Sequence, residues 1–289
     1  MSGRPARQPT LSTKPSHASI LNAGKSRLVY ALLNPMTRYS PGDIMVSAAA
    51  REIKDHDVVF VGMRLPLLAF LLAKSTHAPN AVGLFENGVI RDTPATGPII
   101  TMGDPPNQTS AMRLCELNEV MTLLSGGRVG VGFIGGAQVD IHGNVNTHQV
   151  NTAKGMVRLP GSGGGADLAS LAQRTLIVMT HERRRLVPRV DFITSPGWGE
   201  GPQAGPAWRA GQGLPRGGPE ALITSLGVFR FPQGRACLTQ LHPQATLEQV
   251  CAETGWELTA APQVATTPKP SSQELDIIRR FDPDRYWTG

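Results

Sequence analysis

Val58-Val59-Phe60-Val61-Gly62 is a short, unbroken apolar run closed by a glycine; residues 65–73 follow as a second apolar stretch, and Ala81-Val82-Gly83-Leu84-Phe85 then repeats the first pattern. A continuous apolar run of this length suits a strand buried on both faces, because alternation disappears when neither face meets water. Residues 65–73 have the length of a helix. The stretch therefore reads strand, helix, strand. Upstream, Pro41-Gly42-Asp43 marks a turn and a helix start, with Asp43 as the expected N-cap and Ile44, Val46, Ala50 and Ile53 forming the apolar face. Downstream, strands are expected at 129–134, 175–179 and 222–229, and helices at 111–125, 166–173 and 246–253. Strands that alternate with helices predict an α/β fold: a largely parallel sheet flanked by helices. We expect one domain over 41–289, preceded by a basic, Ser- and Pro-rich arm over 1–40. The Gly- and Pro-rich segment 199–218 is expected to be a surface loop. No internal repeat is present.

The chain has 289 residues, 40% of them hydrophobic and 17% charged, enough for a sizeable core and too apolar for a disordered chain. Its net charge of +6 suggests nucleic acid until it is located. Six of the 28 basic residues, Arg4, Arg7, Lys14, Lys25, Arg27 and Arg38, lie in 1–42, where there is no acid; the remaining 22 face 22 acidic residues. The folded part is thus neutral, and no nucleic-acid partner is expected. No apolar run reaches the roughly 18 residues of a spanning helix, so no membrane partner is expected either. Three cysteines, Cys115, Cys237 and Cys251, form no CxxC pair, which fits a reducing, cytoplasmic setting. The arm has the composition of a transit peptide, but Pro5, Pro9 and Pro15 would break its helix, and a disordered tail is the expectation.

Several motif matches fail on inspection. Ala23-Gly24-Lys25-Ser26 ends like a P-loop but has Ser19 where the first glycine belongs. His181-Glu182 begins like a zinc-protease helix, yet Arg185 stands where the second histidine belongs; His142 and His148 lack a third ligand, and no metal is expected. Arg183-Arg184-Arg185 could hold an anionic substrate or simply face solvent. Gly161-Ser162-Gly163-Gly164-Gly165-Ala166 satisfies GxGxxA, with Glu182 where a dinucleotide fold keeps its ribose acid, but a lone match of this kind is weak. More general is its backbone: four glycines in five positions let main-chain N–H groups approach a ligand near a helix start. Leu84-Phe85-Glu86-Asn87-Gly88 places a carboxylate just beyond a strand, at the end where open α/β sheets form their clefts. The plainer reading of Glu86-Asn87-Gly88 is a tight turn.

Taken together, these residues resemble a known family. Glu86-Asn87-Gly88, then 133–140 with Gly143-Asn144-Val145-Asn146, then 161–167, resemble in order and spacing the β subunits of the class I coenzyme A transferases. His181-Glu182-Arg183-Arg184-Arg185 and the segment from Asp191 to Trp198 resemble the glutaconate CoA-transferase branch in particular. The resemblance spans about 41–260. It implies that Glu86 is a carboxylate nucleophile, passing through an acyl-glutamyl anhydride to a glutamyl-CoA thioester in a ping-pong cycle. It also implies a thioester-contacting glycine at Gly164 with Gly163 beside it, a second backbone surface at Gly135 and Gly136, and secondary candidates in Asn87 and Gln138. Acyl-CoA and a carboxylic acid would be the substrates, with no permanently bound cofactor. The family's Gly-Gly-Phe oxyanion segment is absent from this chain, which implies an α subunit partner and a hetero-oligomer. Glu-Asn-Gly is more typical of oxoacid transferases than of the glutaconate branch, so the acid itself does not carry over. Alternatives are a CoA-thioester-dependent hydrolase on the same scaffold, a non-catalytic CoA-thioester-binding subunit, and the dinucleotide enzyme suggested by GxGxxA.

Overall fold

The computed structural model describes residues 39–289, Pro215 excepted; the arm over 1–38 and its P-loop-like segment lie outside the described residues. In chain order, the first half comprises α1 (Pro41–Arg51), β1 (Val58–Phe60), α2 (Leu65–Ser75), β2 (Val82–Leu84), β3 (Val89–Arg91), the single turn α3 (Pro105–Gln108), β4 (Arg113–Leu114), α4 (Leu117–Ser125) and β5 (Val131–Ile134). Two small hairpins follow, β6 (Gln138–Val139) with β7 (Val145–Asn146) and β8 (Gln149–Thr152) with β9 (Gly155–Arg158). The rest comprises α5 (Gly165–Leu171), β10 (Arg174–Val178), α6 (Pro206–Gly211), β11 (Pro219–Ile223), β12 (Gly227–Arg230), β13 (Cys237–Leu241), α7 (Leu247–Glu253), β14 (Ala260–Thr266) and α8 (Ser272–Phe281).

Ten strands form one sheet in the order β14-β13-β12-β11-β10-β5-β1-β2-β3-β4. Its centre, from β11 to β2, is parallel, as the alternation of strands and helices predicts. Antiparallel pairs flank it on both sides. The period-2 geometry of a strand divides the central residues between two cores. Val59, Leu176 and Ile223 pack with α1, α2 and α8 on one face; Phe60, Ile177 and Leu222 pack with α4, α5 and α7 on the other.

Four local expectations are corrected. Helix α1 is capped by Ser40, not Asp43: Asp43 sits at N3, where its carboxylate accepts the Ser40 N–H at 2.8 Å and completes a capping box. The helix expected over 111–125 begins only at Leu117, because Arg113 and Leu114 are drawn into the sheet against Ile90 and Val89. The strand expected over 222–229 is a hairpin; Thr224 turns the chain by bonding Gly227 from its N–H and its hydroxyl, and Leu222 then pairs with Phe229. The segment 199–218 is only partly a surface loop. Its helix α6 sinks Arg209 to 2% exposure, where the guanidinium donates to the carbonyls of Ala169, Pro196, Gly197 and Arg216.

Helix α8 and the last residues fold back over α1 and α2. Arg279 donates to Asp43 Oδ1 at 2.8 Å, Arg51 donates to Glu274 at 2.9 Å, and the Asp282 carboxylate accepts the N–H groups of Tyr286, Trp287 and Thr288. Burial pushes the Asp43 carboxyl up, but its bonds from Arg279 and Ser40 outweigh that and hold it below the usual carboxylate range.

Candidate active site

The turn after β2 is built around Gly88. Phe85 N–H donates to Val89 O at 2.8 Å and Gly88 N–H to Phe85 O at 2.9 Å, so the chain reverses within three residues and leaves Glu86 at the tip. Gly88 has φ +95°, and a Cβ there would stand 1.8 Å from the Cys115 carbonyl oxygen, so no other residue fits without displacing backbone. Asn87 ties the turn to its surroundings through Nδ2, which donates to Met102 O at 2.9 Å. Asn87 and Gly88 are thus turn residues, as the plainer reading held. What they hold up is Glu86.

The half-buried Glu86 carboxylate faces the start of α5. Gly164 N–H donates to Glu86 Oε1 at 3.1 Å, across 78 positions of sequence. A Cβ on Gly164 would lie 3.2 Å from Oε1, and one on Gly163 would lie 3.9 Å from it. Glycine at 164 is what allows the approach. The same segment disposes of the dinucleotide reading: the strand before the GxGxxA match, β9, belongs to a two-stranded antiparallel hairpin and not to the parallel sheet, so the segment is not the strand-turn-helix of a dinucleotide fold. Glu182 instead pairs with Arg184 at 2.5 Å, and this bond holds its carboxyl below the usual range.

A cleft of about 730 Å³ opens at the carboxyl ends of β1, β5 and β10, and neither Glu86 nor Gly164 is among its lining residues. Gly62, Gly135, Gly136, Met179 and Gly161 line it, so the Gly135-Gly136 pair faces the crevice directly and Gly161 brings the second glycine segment to its wall. Gln138, the other secondary candidate, is tied into the scaffold. Its Oε1 accepts from Asn146 Nδ2 at 2.8 Å and from Asp191 N–H at 3.0 Å, its Nε2 donates to Asp191, and it does not line the cleft. The neighbouring motif residues are braces of the same kind. The Asp140 carboxylate accepts the N–H groups of His142 and Asn144, while Asn144 Oδ1 accepts Gly197 N–H at 2.8 Å, locking the β6–β7 hairpin to the 194–198 segment. Burial raises the Asp140 carboxyl against these bonds.

The three histidines named in the sequence motifs, His142, His148 and His181, are tied into the scaffold. His181 Nδ1 and Nε2 lie 3.0 and 3.1 Å from the Thr224 and Thr254 hydroxyls, His142 bonds Gly234 O, and His148 stacks on Phe192 at 4.5 Å. Among the described residues, no group of three or more His, Cys, Asp and Glu side chains converges as a metal ion needs. Of the arginine run, Arg183 caps α7 by donating to Ala252 O and Thr254 O, Arg184 lies outward, and only Arg185 lines the cleft. Sequence reading missed Arg64, Tyr286 and Trp287, which also line it. The last two carried no signal, since they lie some 200 positions from Glu86 and reach the cleft only through the Asp282 anchor.

Residues 43–253 match the family described as Coenzyme A transferase. The chain is 39% identical over 251 residues to the B subunit of 3-oxoadipate CoA-transferase from Pseudomonas knackmussii, covering 86% of this chain and 95% of that one. It is 32% identical over 264 residues to the B subunit of glutaconate CoA-transferase from Acidaminococcus fermentans, covering 86% and 94%. The crystal structure of glutaconate CoA-transferase from the same organism superposes with a TM-score of 0.77 at 29% identity, covering 88% of this chain and 98% of that one. With the parallel sheet, the Glu86 turn and the glycine segment in place, these matches show that the chain belongs to the coenzyme A transferase family.

Proposed function

We propose that the chain is the catalytic β subunit of an acyl-CoA:carboxylate CoA-transferase and that CoA passes through a thioester on Glu86. The observation that carries the reading is the 3.1 Å bond from Gly164 N–H to Glu86 Oε1 at the end of β2. A Glu86 oxygen attacks the thioester carbonyl, the C–S bond breaks, and CoA leaves as the thiolate while an acyl-glutamyl anhydride forms. The thiolate then attacks the Glu86 carbonyl carbon, releasing the first acid as its carboxylate and leaving glutamyl-CoA. A second carboxylate repeats the two steps in reverse, forming a new acyl-CoA and restoring Glu86. Whenever the Glu86 carbonyl is attacked, charge develops on its own oxygen, where the Gly164 amide is already aimed; a donor placed in advance needs no reorganisation. The thioester oxygen of the substrate needs a separate donor, and the α subunit of the complex supplies it in this reading. The two relatives named above are each one subunit of a transferase, which supports a two-chain enzyme.

The test uses the complex with its α subunit. Incubation with acetyl-CoA and borohydride trapping should modify the Glu86 peptide, and transfer should require an added acid; release of free CoA without one would mark a hydrolase. Glu86→Gln keeps the side chain's shape but removes the nucleophilic charge, so turnover should fall by well over tenfold, the equivalent of about 1.4 kcal/mol. A folded variant retaining a tenth or more of wild-type turnover would sink the assignment.

A further inference from the structure

The segment between β3 and β4 is held from inside by Arg91, the last residue of β3, which is fully buried. Its Nε donates to Thr93 O at 3.1 Å and its Nη2 to Pro94 O at 2.7 Å, where the segment leaves the sheet; its Nη1 donates to Thr109 O at 3.0 Å and to Asn107 O, where the segment returns. Among the described residues no carboxylate pairs with this guanidinium, and its partners are oxygens of residues 93–109. Burying a cation without a counter-ion is costly, and an apolar side chain could fill the same space; only the planar fork supplies several donors that staple both legs of the segment at once. Asn107, also fully buried, donates from Nδ2 to Met102 O at 2.8 Å, while its Oδ1 has no hydrogen-bond partner among the described residues. An orphaned buried acceptor is a cost that the rest of the group must offset. The carbonyl that Asn107 holds is also the one that holds the Glu86 turn: Asn87 Nδ2 donates to the same Met102 O at 2.9 Å, and a carbonyl oxygen has lone pairs for both.

We infer that Arg91 and Asn107 are positioning residues for Glu86, acting through the Met102 carbonyl and Asn87. The inference rests on the transferase reading of Glu86. The base of the turn is fixed at Gly88, whose carbonyl accepts the Cys115 N–H at 2.9 Å. Its tip is tied at Asn87, next to Glu86 in sequence, so the place of Met102 O sets where the tip stands. Asp104 pins the residues just before Met102, accepting the N–H groups of Ile100 at 2.7 Å and Thr101 at 3.0 Å. Across from this strut, Glu86 Oε1 meets the Gly164 N–H, an amide of a separate segment, at 3.1 Å. The bonds within the turn fix its shape but not its place relative to α5, and the strut supplies that. Displacing a reacting group by about 1 Å costs on the order of a hundredfold in rate, so a residue that touches no reacting atom can still govern turnover.

The test uses the complex with its α subunit and reads a single turnover with acetyl-CoA: the rate at which borohydride traps CoA on Glu86, as a maximal rate and a half-saturating concentration, well below each variant's thermal midpoint. Asn107→Ala and Asn87→Ala should each lower the maximal rate at least tenfold while the half-saturating concentration stays within twofold, because Glu86 is displaced and the surface that binds CoA is not. The double variant should be no more than about threefold slower than the slower single variant, since both side chains act through one carbonyl; independent effects would multiply. Arg91→Lys, which keeps the charge but not the fork, should retain more of the rate than Arg91→Met. A maximal rate within threefold of wild type for folded Asn107→Ala, even with a lowered thermal midpoint, overturns the inference and makes the buried pair structural only. Effects that multiply in the double variant overturn the route through Met102 O. Either result, with a Glu86 adduct present in the wild type, leaves the transferase reading standing; absence of any wild-type adduct defeats both.

Discussion

Gly164→Ala isolates what the glycine does for Glu86. Gly164 sits at φ −77° and ψ 5°, a conformation alanine adopts without strain, so the substitution should leave the fold intact. The added Cβ would stand 3.2 Å from Glu86 Oε1 and 3.5 Å from Cδ, so the carboxylate must retreat by a few tenths of an ångström. That retreat lengthens a 3.1 Å hydrogen bond already near the long end of the useful range. A bond to a charged group contributes about 1.5–3 kcal/mol, and losing most of it lowers turnover by about ten- to a hundredfold. The companion variant is Gly211→Ala in α6, where a Cβ meets nothing within 4 Å and turnover should not change. Gly201 is a poorer companion because its φ of +65° adds backbone strain of its own. The assay is the rate of CoA transfer by the complex, read with the thermal midpoint of each variant. Turnover within threefold of wild type for a folded Gly164→Ala would mean that the amide is structural, and that Glu86 lacks the partner assigned to it.

Gly88→Ala should destabilise the protein by about 3 kcal/mol or more, because the Cβ would overlap the Cys115 carbonyl at 1.8 Å and φ is +95°; chemical denaturation measures it, and a loss under about 1 kcal/mol would contradict the turn geometry. Stability should fall as pH drops from about 6.5 to about 4: burial lowers His181 and His242 from 6.5 to about 4, so the unfolded chain binds more protons in that window, and the neutral-histidine contribution is fully present only above it. His242→Gln should flatten the slope of denaturation midpoint against pH between those limits, and an unchanged slope would show that His242 is not buried in its neutral form.

The parallel centre of the sheet was legible because burial on both faces removes alternation, and runs such as Val58 to Val61 show that directly in composition. The antiparallel flanks were not, because their signals are contextual. Arg113 and Leu114 look like the front of the helix that follows, and only pairing with β3 makes them a strand. Thr224-Ser225-Leu226-Gly227 interrupts an apolar run with one glycine and no proline, relying on a threonine hydroxyl to close the turn. The misreading of 199–218 had the opposite cause: glycine and proline marked a loop correctly, but one buried arginine can plug a gap among backbone carbonyls without leaving any periodicity to detect.

At the site, composition could nominate Glu86 and the glycines separately, but only the fold joins them. Phe60 and Leu84 are paired across β1 and β2, and β10, which follows α5, lies two strands away from β1 with β5 between them, so the loops leaving β1 and β2 and the segment entering α5 are brought to one edge. That arrangement explains why Asn87 and Gln138, close in sequence to reactive-looking positions, serve as braces: a carboxylate that must meet an amide 78 positions away needs both loops held still. In the proposed reading, chemistry is confined to the few atoms of Glu86 and the Gly164 amide, and the polar residues around them are consumed in holding the scaffold that aims those atoms.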